Sequence, residues 1–337
     1  MRLLIVFAFS LLLGAGLQAQ RNQPLRVELP DLRIGQETSI RLDFFDVEPQ
    51  IKPEEVEFFR ELLPLIEQQP AAAAARLSNE IGPDSSAALS YVLGNLYVQS
   101  QRLPQAINAY EQAISKYNEY RRAHKNLGMV HFQNGDLDRA LEHLTRAVQL
   151  GDRDASNYGR LAYIYLQQDN PVAAESAYRS AIVVEPNKRD WKLGLAQTLM
   201  AQGRNQEVIA IMEPLIQADP QNAQLWLFQT NAYLGQNELE DAAINLEIIR
   251  RLGEAQASQL KLLGNIYLRS DMPQRALQTF MEVLNLDNPS ENLDIAIDAA
   301  ELVVRLNRYD DASHLITSLQ HAELTVSDEQ EKTLLQI

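Results

Sequence analysis

Five histidines, His124, His131, His143, His314 and His321, are the side chains of this 337-residue chain best suited to bind a metal or move a proton. His124 and His131 stand seven apart, as do His314 and His321. On a helix that spacing puts each pair on one face but two turns apart, roughly 10 Å along the axis, too far for one ion. The chain contains no cysteine, so it offers no thiolate as nucleophile or ligand. Neither a Gly-x-Ser-x-Gly turn nor a phosphate-cradling loop occurs. The 45 acidic side chains read as solvated helix faces. No catalytic residue, metal site or cofactor is assigned, and the chain reads as a non-enzyme.

Recognition is the chemistry that remains. Arg122, Lys125 and Arg160 form a local basic patch in a chain of net charge −15. Around them stand Tyr91, Asn95, Asn126, Met129, Phe132, Tyr163 and Leu166. Amides suit a peptide backbone, apolar side chains suit its side chains, and cations suit carboxylates. These ten residues are the candidate peptide-binding set.

The elements that position them repeat. Leu93-Gly94, Leu127-Gly128, Leu161-Ala162, Leu195-Ala196 and Leu263-Gly264 fall on one 34-residue interval. Ala106, Ala140, Ala174, Ala242 and Ala276 keep the same phase. Between them lie polar turns such as Gln133-Asn134-Gly135-Asp136 and Ala201-Gln202-Gly203-Arg204. Pro104, Pro171 and Pro273 fall at second-helix starts, where a missing N–H costs nothing. Pro214 falls late in a second helix and is expected to bend or shorten it. Small residues at fixed places let helix backbones approach, so the period predicts stacked helix–turn–helix units.

These residues resemble the tetratricopeptide repeat. Leu93-Gly94, Tyr97, Ala106, Tyr110 and Ala113 follow its consensus, and Leu161-Ala162, Tyr165, Ala174, Tyr178, Ala181 and Pro186 follow it almost as well. The resemblance implies an all-α fold, a right-handed superhelix (an α-solenoid). Six units are expected over 87–292, namely 87–120, 121–154, 155–188, 189–222, 223–256 and 257–292. A degenerate helix pair is expected at 53–86, a divergent seventh unit at 293–326, and a closing helix at 327–337. Unit five departs from the pattern, with Gln229-Thr230 in place of Leu-Gly.

In this family the first helix of each unit lines the concave face. Helical spacing puts Val98, Phe132, Leu166, Met200, Leu234 and Leu268 in one stripe of it. Either this stripe receives a ligand, or it packs within the array. Some tetratricopeptide domains clamp a C-terminal carboxylate with five side chains from three repeats. Asn95, Asn126 and Arg160 match three of those places, while Tyr91 and Ser156 replace both lysines. The expected clamp is therefore incomplete.

The N-terminus has a different composition. Arg2 precedes an apolar run from Leu3 to Leu13, too short to span a bilayer, and a small-residue exit at Ala19. Residues 1–19 read as a cleaved signal peptide with no lipoprotein cysteine, which sends the chain to the periplasm or outside the cell. Residues 20–52 alternate at Leu25, Val27, Leu29 and at Ile40, Leu42, Phe44, and read as a short extended segment. It either docks on a partner's sheet edge or covers the first repeat. The acidic balance argues against nucleic acid and against anionic lipid. The expected function is a protein-binding scaffold of the bacterial cell envelope, in an assembly, secretion or energy-transducing complex. The alternative is a periplasmic chaperone or receptor for extended clients.

Overall fold

The computed structural model describes residues 48–286 and 293–308, which hold fifteen α-helices and no strand. The expected signal peptide, the extended segment up to residue 47, the second helix of the seventh unit and the closing helix lie outside the described residues. Residues 48–52 are irregular and lead into a single 3₁₀ turn at Pro53–Glu55.

The chain divides into two compact units, residues 1–191 and residues 192–337. The first contains α1 (Val56–Gln68), α2 (Pro70–Glu80), α3 (Ala87–Gln99), α4 (Leu103–Lys116), α5 (Arg121–Asn134), α6 (Leu137–Gln149), α7 (Ala155–Gln167) and α8 (Pro171–Val184). Helix α9 (Arg189–Ala201) spans the division. The second contains α10 (Asn205–Ala218), α11 (Ala223–Gln236), α12 (Leu239–Arg251), α13 (Ala257–Arg269), α14 (Pro273–Leu286) and α15 (Leu293–Arg305). Consecutive helices pack in pairs, α3 on α4, α5 on α6, α7 on α8, α11 on α12 and α13 on α14. The fold is an all-α solenoid of helix–turn–helix pairs.

Two local devices set each pair. The first is the turn. Gln101, Gly135, Asp169, Gly203, Asn237 and Asp271 stand 34 residues apart, and all are left-handed, with φ between 53° and 84°. After each, the next N–H reaches back five residues: Arg102 to Tyr97, Asp136 to His131, Asn170 to Tyr165, Arg204 to Leu199, Glu238 to Tyr233 and Met272 to Tyr267, at 2.8 or 2.9 Å. This is the left-handed C-terminal cap that satisfies the last carbonyls of a helix while reversing the chain. Gln101 is the one residue of the six whose side chain gives it no particular ease there.

The second device is the crossing. A methyl at Gly94 would overlap the Tyr110 ring, and one at Gly264 the Phe280 ring. At Gly128 it would meet Leu144 at 2.7 Å. Ala106, Ala113, Ala140, Ala147, Ala174 and Ala181 are fully buried on the second helices. In the pairs of Gly94, Gly128 and Gly264 a bulky second-helix side chain lies on bare first-helix backbone, at the density of a protein interior.

Unit five solves its departure with hydrogen bonds. Asn245 of α12 donates to Gln229 of α11 at 3.0 Å, both buried. Thr230 bonds back to the Trp226 carbonyl at 2.8 Å. Of the two effects expected of Pro214, shortening does not occur. Helix α10 runs 14 residues through it, as long as α4 and α8, so it does not shorten the helix. The carbonyl of Ala210, which loses its N–H partner to the proline, belongs to an exposed residue.

Gly94→Leu should destabilise the first unit by about 1–3 kcal/mol, from overpacking against Tyr110. Gln101→Gly should stabilise it by up to about 1 kcal/mol, by relieving the left-handed backbone. Urea unfolding followed by circular dichroism checks both signs.

Candidate functional site

The ten candidate residues lie on α3, α5 and α7, the first helices of three consecutive pairs in the first unit. The structure sorts them by depth. Tyr91 and Asn95 are each 1% exposed and Phe132 3%, so these three are not available to a ligand and support the face from beneath. Arg122, Lys125, Asn126, Met129, Arg160, Tyr163 and Leu166 are partly exposed.

A polar network under the face explains the burial. The Tyr110 hydroxyl donates to the Asn95 side-chain oxygen at 2.7 Å. Asn126 donates to the same oxygen at 3.0 Å and to the Tyr91 hydroxyl at 3.1 Å. Burial, with Tyr91 alongside, pushes the Tyr110 phenol well above its usual range, so it remains a donor. The Tyr91 ring packs on those of Tyr110 and Tyr120, with centroids 5.9 and 5.0 Å apart. Asn95 and Asn126, two of the three residues that match the incomplete carboxylate clamp, therefore bond to one another.

The basic patch is also engaged. Lys125 Nζ lies 2.7 Å from the Asp154 carboxylate and 3.9 Å from that of Asp152. Burial works against ionisation of Asp154, but the Lys125 bond and charge and the Ser156 N–H hold its carboxyl below the usual range. Asp152 in turn accepts from Asn157 at 2.8 Å. Arg122 and Arg121 lie 3.9 and 3.4 Å from the Glu48 carboxylate. Burial lowers the Arg160 guanidinium, and the charges of Asp154 and Asp152 oppose that shift. Sequence reasoning missed these acids. Asp152 and Asp154 were readable as turn residues next to α7, whereas Glu48 gave no signal.

What faces outward is an apolar row with polar flanks. Met129, Tyr163 and Leu166 are its partly exposed members, and Tyr163 stacks edge-on to Phe132 with centroids 5.6 Å apart. In the second unit α11 and α13 present Leu227, Asn231, Leu234, Lys261 and Leu268 in partly exposed positions, and Asn265 in an exposed one.

The histidines form a different cluster, between α5 and α6. His124 Nε2 lies 3.1 Å from the Asn118 carbonyl, so that nitrogen carries the proton and donates. Its Nδ1 then accepts from His143 Nδ1–H at 3.1 Å. His131 stacks on His143, with centroids 5.8 Å apart. At 2% exposure, His131 fills the place of a tyrosine. Among the described residues no group of three or more His, Asp or Glu side chains is placed to hold a metal ion.

Comparison with known proteins agrees with the helix pairs. Tetratricopeptide-repeat family profiles match residues 91–157, 131–198 and 165–231. Among curated proteins, cell division cycle protein 27 homolog B of Arabidopsis thaliana is 28% identical over 143 residues, which is 42% of this chain. The match spans 19% of that protein's length. Among solved structures, the C-terminal part of a TPR repeat-containing protein from Cytophaga hutchinsonii superposes with a TM-score of 0.56 at 16% identity. That superposition covers 68% of this chain and 95% of the other. A tetratricopeptide repeat protein from Parabacteroides merdae gives a TM-score of 0.46 at 19% identity, covering 75% and 100%. Residues 91–231 thus carry tetratricopeptide repeats, and this fold suggests protein or peptide partners. Among the described residues no helix is long and apolar enough to cross a membrane.

The histidine cluster makes a pH prediction. Burial, then the charge of His124, lowers His143 to about 4, and burial lowers His124 and His131 as well. Unfolded imidazoles titrate near 6.5, so between about 6.5 and 4 the unfolded chain binds more protons. Stability should therefore be full above about pH 6.5 and fall as pH drops towards 4. His143→Phe should flatten that part of a plot of Tm against pH.

Proposed function

We propose that this protein is a non-enzymatic scaffold of the bacterial cell envelope that binds an extended or helical segment of a partner protein across α5 and α7. The observation that carries the reading is the partly exposed row Met129, Tyr163 and Leu166, flanked by Asn126 and Arg160. Apolar side chains left half in water beside a rigid, hydrogen-bonded support are the usual makings of a binding surface. The envelope location rests on the sequence alone, on the signal-like residues 1–19 and the cysteine-free composition. The partner belongs to an envelope complex for assembly, secretion or energy-transducing transport.

A second reading, a periplasmic chaperone or receptor for extended client segments, is favoured by one finding. The cations of the face are matched by Asp152, Asp154 and Glu48, so the face selects weakly for a charged terminus. Apolar contacts with few fixed charges tolerate many sequences.

The protein lacking residues 1–19 should retain a partner from envelope extract, and Met129→Glu with Leu166→Glu should lose it. Both side chains are partly exposed, so the substitutions spare the fold, unlike a change at Phe132. Retention of the same partner by the double variant would remove the α5–α7 face from the proposal. One partner in fixed stoichiometry supports the scaffold, and many clients support the chaperone.

A further inference from the structure

We infer that His124 and His143 form a two-imidazole site for one divalent transition-metal ion of the zinc or copper class. The site shares no residue with the row Met129, Tyr163 and Leu166, so it stands or falls independently of the proposed partner surface.

Geometry carries the inference. His124 Nδ1 and His143 Nδ1 face each other at 3.1 Å. Two imidazole bonds of about 2.0–2.1 Å to one ion hold their nitrogens about 3.3–3.4 Å apart at a tetrahedral angle, and about 2.9 Å apart at a right angle. The separation in the protein falls between those values, so a slight turn of either ring admits the ion. His124 is already set as a ligand. Its Nε2–H donates to the Asn118 carbonyl at 3.1 Å, which orients the ring and leaves the Nδ1 lone pair directed at His143. His143 has only to release its Nδ1 proton to water and take one on Nε2, so neither ring changes charge and the ion replaces one bridging hydrogen.

The helix crossing holds the two rings in place. Gly128 lies one turn after His124 on α5, and Leu144 lies beside His143 on α6. These two pack so closely that a methyl at Gly128 would meet Leu144 at 2.7 Å. The helix separation is thus fixed before any ion arrives, which cuts the ordering cost of binding. Both histidines line a groove of about 760 Å³, with Asp138, Glu142, Arg146 and Tyr165 on its walls. His143 is partly exposed, so the groove gives access. Among the described residues no third side chain completes the set, and water from the groove fills the remaining positions. Burial favours the neutral imidazoles, the form that binds a metal. Nitrogen donors suit zinc and copper, whereas magnesium and calcium take oxygen. An ion held here cross-links α5 to α6.

The test is calorimetric titration of the untagged, metal-free full chain with Zn²⁺, Cu²⁺ and Mg²⁺. Zn²⁺ should bind with a stoichiometry of one and raise Tm, Cu²⁺ should bind more tightly, and Mg²⁺ should give no heat. His143→Gln should weaken Zn²⁺ and Cu²⁺ by at least the tenfold that loss of an outer-shell partner costs, and should lose the Tm shift. His131→Phe, which leaves the pair intact, should bind as the wild type does. Electron paramagnetic resonance of the Cu²⁺ form of the wild type should show coupling to two imidazole nitrogens, a readout that needs no variant to fold. Unchanged affinity in His143→Gln overturns the inference, because the ion then sits elsewhere on the chain. So do a wild type that takes up no Zn²⁺, a Cu²⁺ spectrum without nitrogen coupling, and an equal loss of binding in His131→Phe.

Discussion

Everything in this molecule depends on how closely two helices of a pair pass. Where Gly94 lies under Tyr110, Gly128 under Leu144 and Gly264 under Phe280, the first-helix backbone takes the place of a side chain. That contact fixes helix separation, and the left-handed turn at residues such as Gly135 and Asn237 fixes helix direction. With both set inside each pair, the outward row of first-helix side chains follows as a geometric result. Met129 and Leu166 are presented because Gly128 and Ala162 are small.

The same closeness has a polar counterpart. A tightly packed pair leaves no water for the amides beneath the face, so Asn95, Asn126, Tyr91 and Tyr110 must satisfy one another. Lys125 finds Asp154 and Asp152 for a related reason, since a half-buried ammonium is costly without a counter-charge. The face is electrically quiet although its sequence is rich in cations. Ligand selection is thereby shifted from charge to shape and apolar contact.

The fold was legible because its constraints are local and repeated. Ala106 and Ala140 signal a crossing wherever the backbone is examined, and Gly203 or Asn237 signals a turn. Among the described residues, only Gln101 hides its left-handed backbone behind an unremarkable residue type. The site was legible in part. Helical spacing says which face a residue occupies but not its depth, so Asn95 and Phe132 were placed with Met129 although they are buried and Met129 is partly exposed. Arg122 looked like part of a free basic patch because Glu48 arrives from beyond an entire helix pair. Pairing across that distance leaves no periodic trace.

The buried amide pair of Gln229 and Asn245 has a consequence for how such a chain assembles. An array of near-copies carries a built-in hazard, since a second helix from one pair can close on the first helix of another with almost the same apolar fit. An Asn245 set against leucine and glycine would bury an amide with nothing to answer it, as would Gln229 against an alanine or a tyrosine. The pair acts as an address written inside the array. It marks one copy among many as distinct, and raises the energy of the neighbouring chimeras that a repetitive sequence would otherwise fall into.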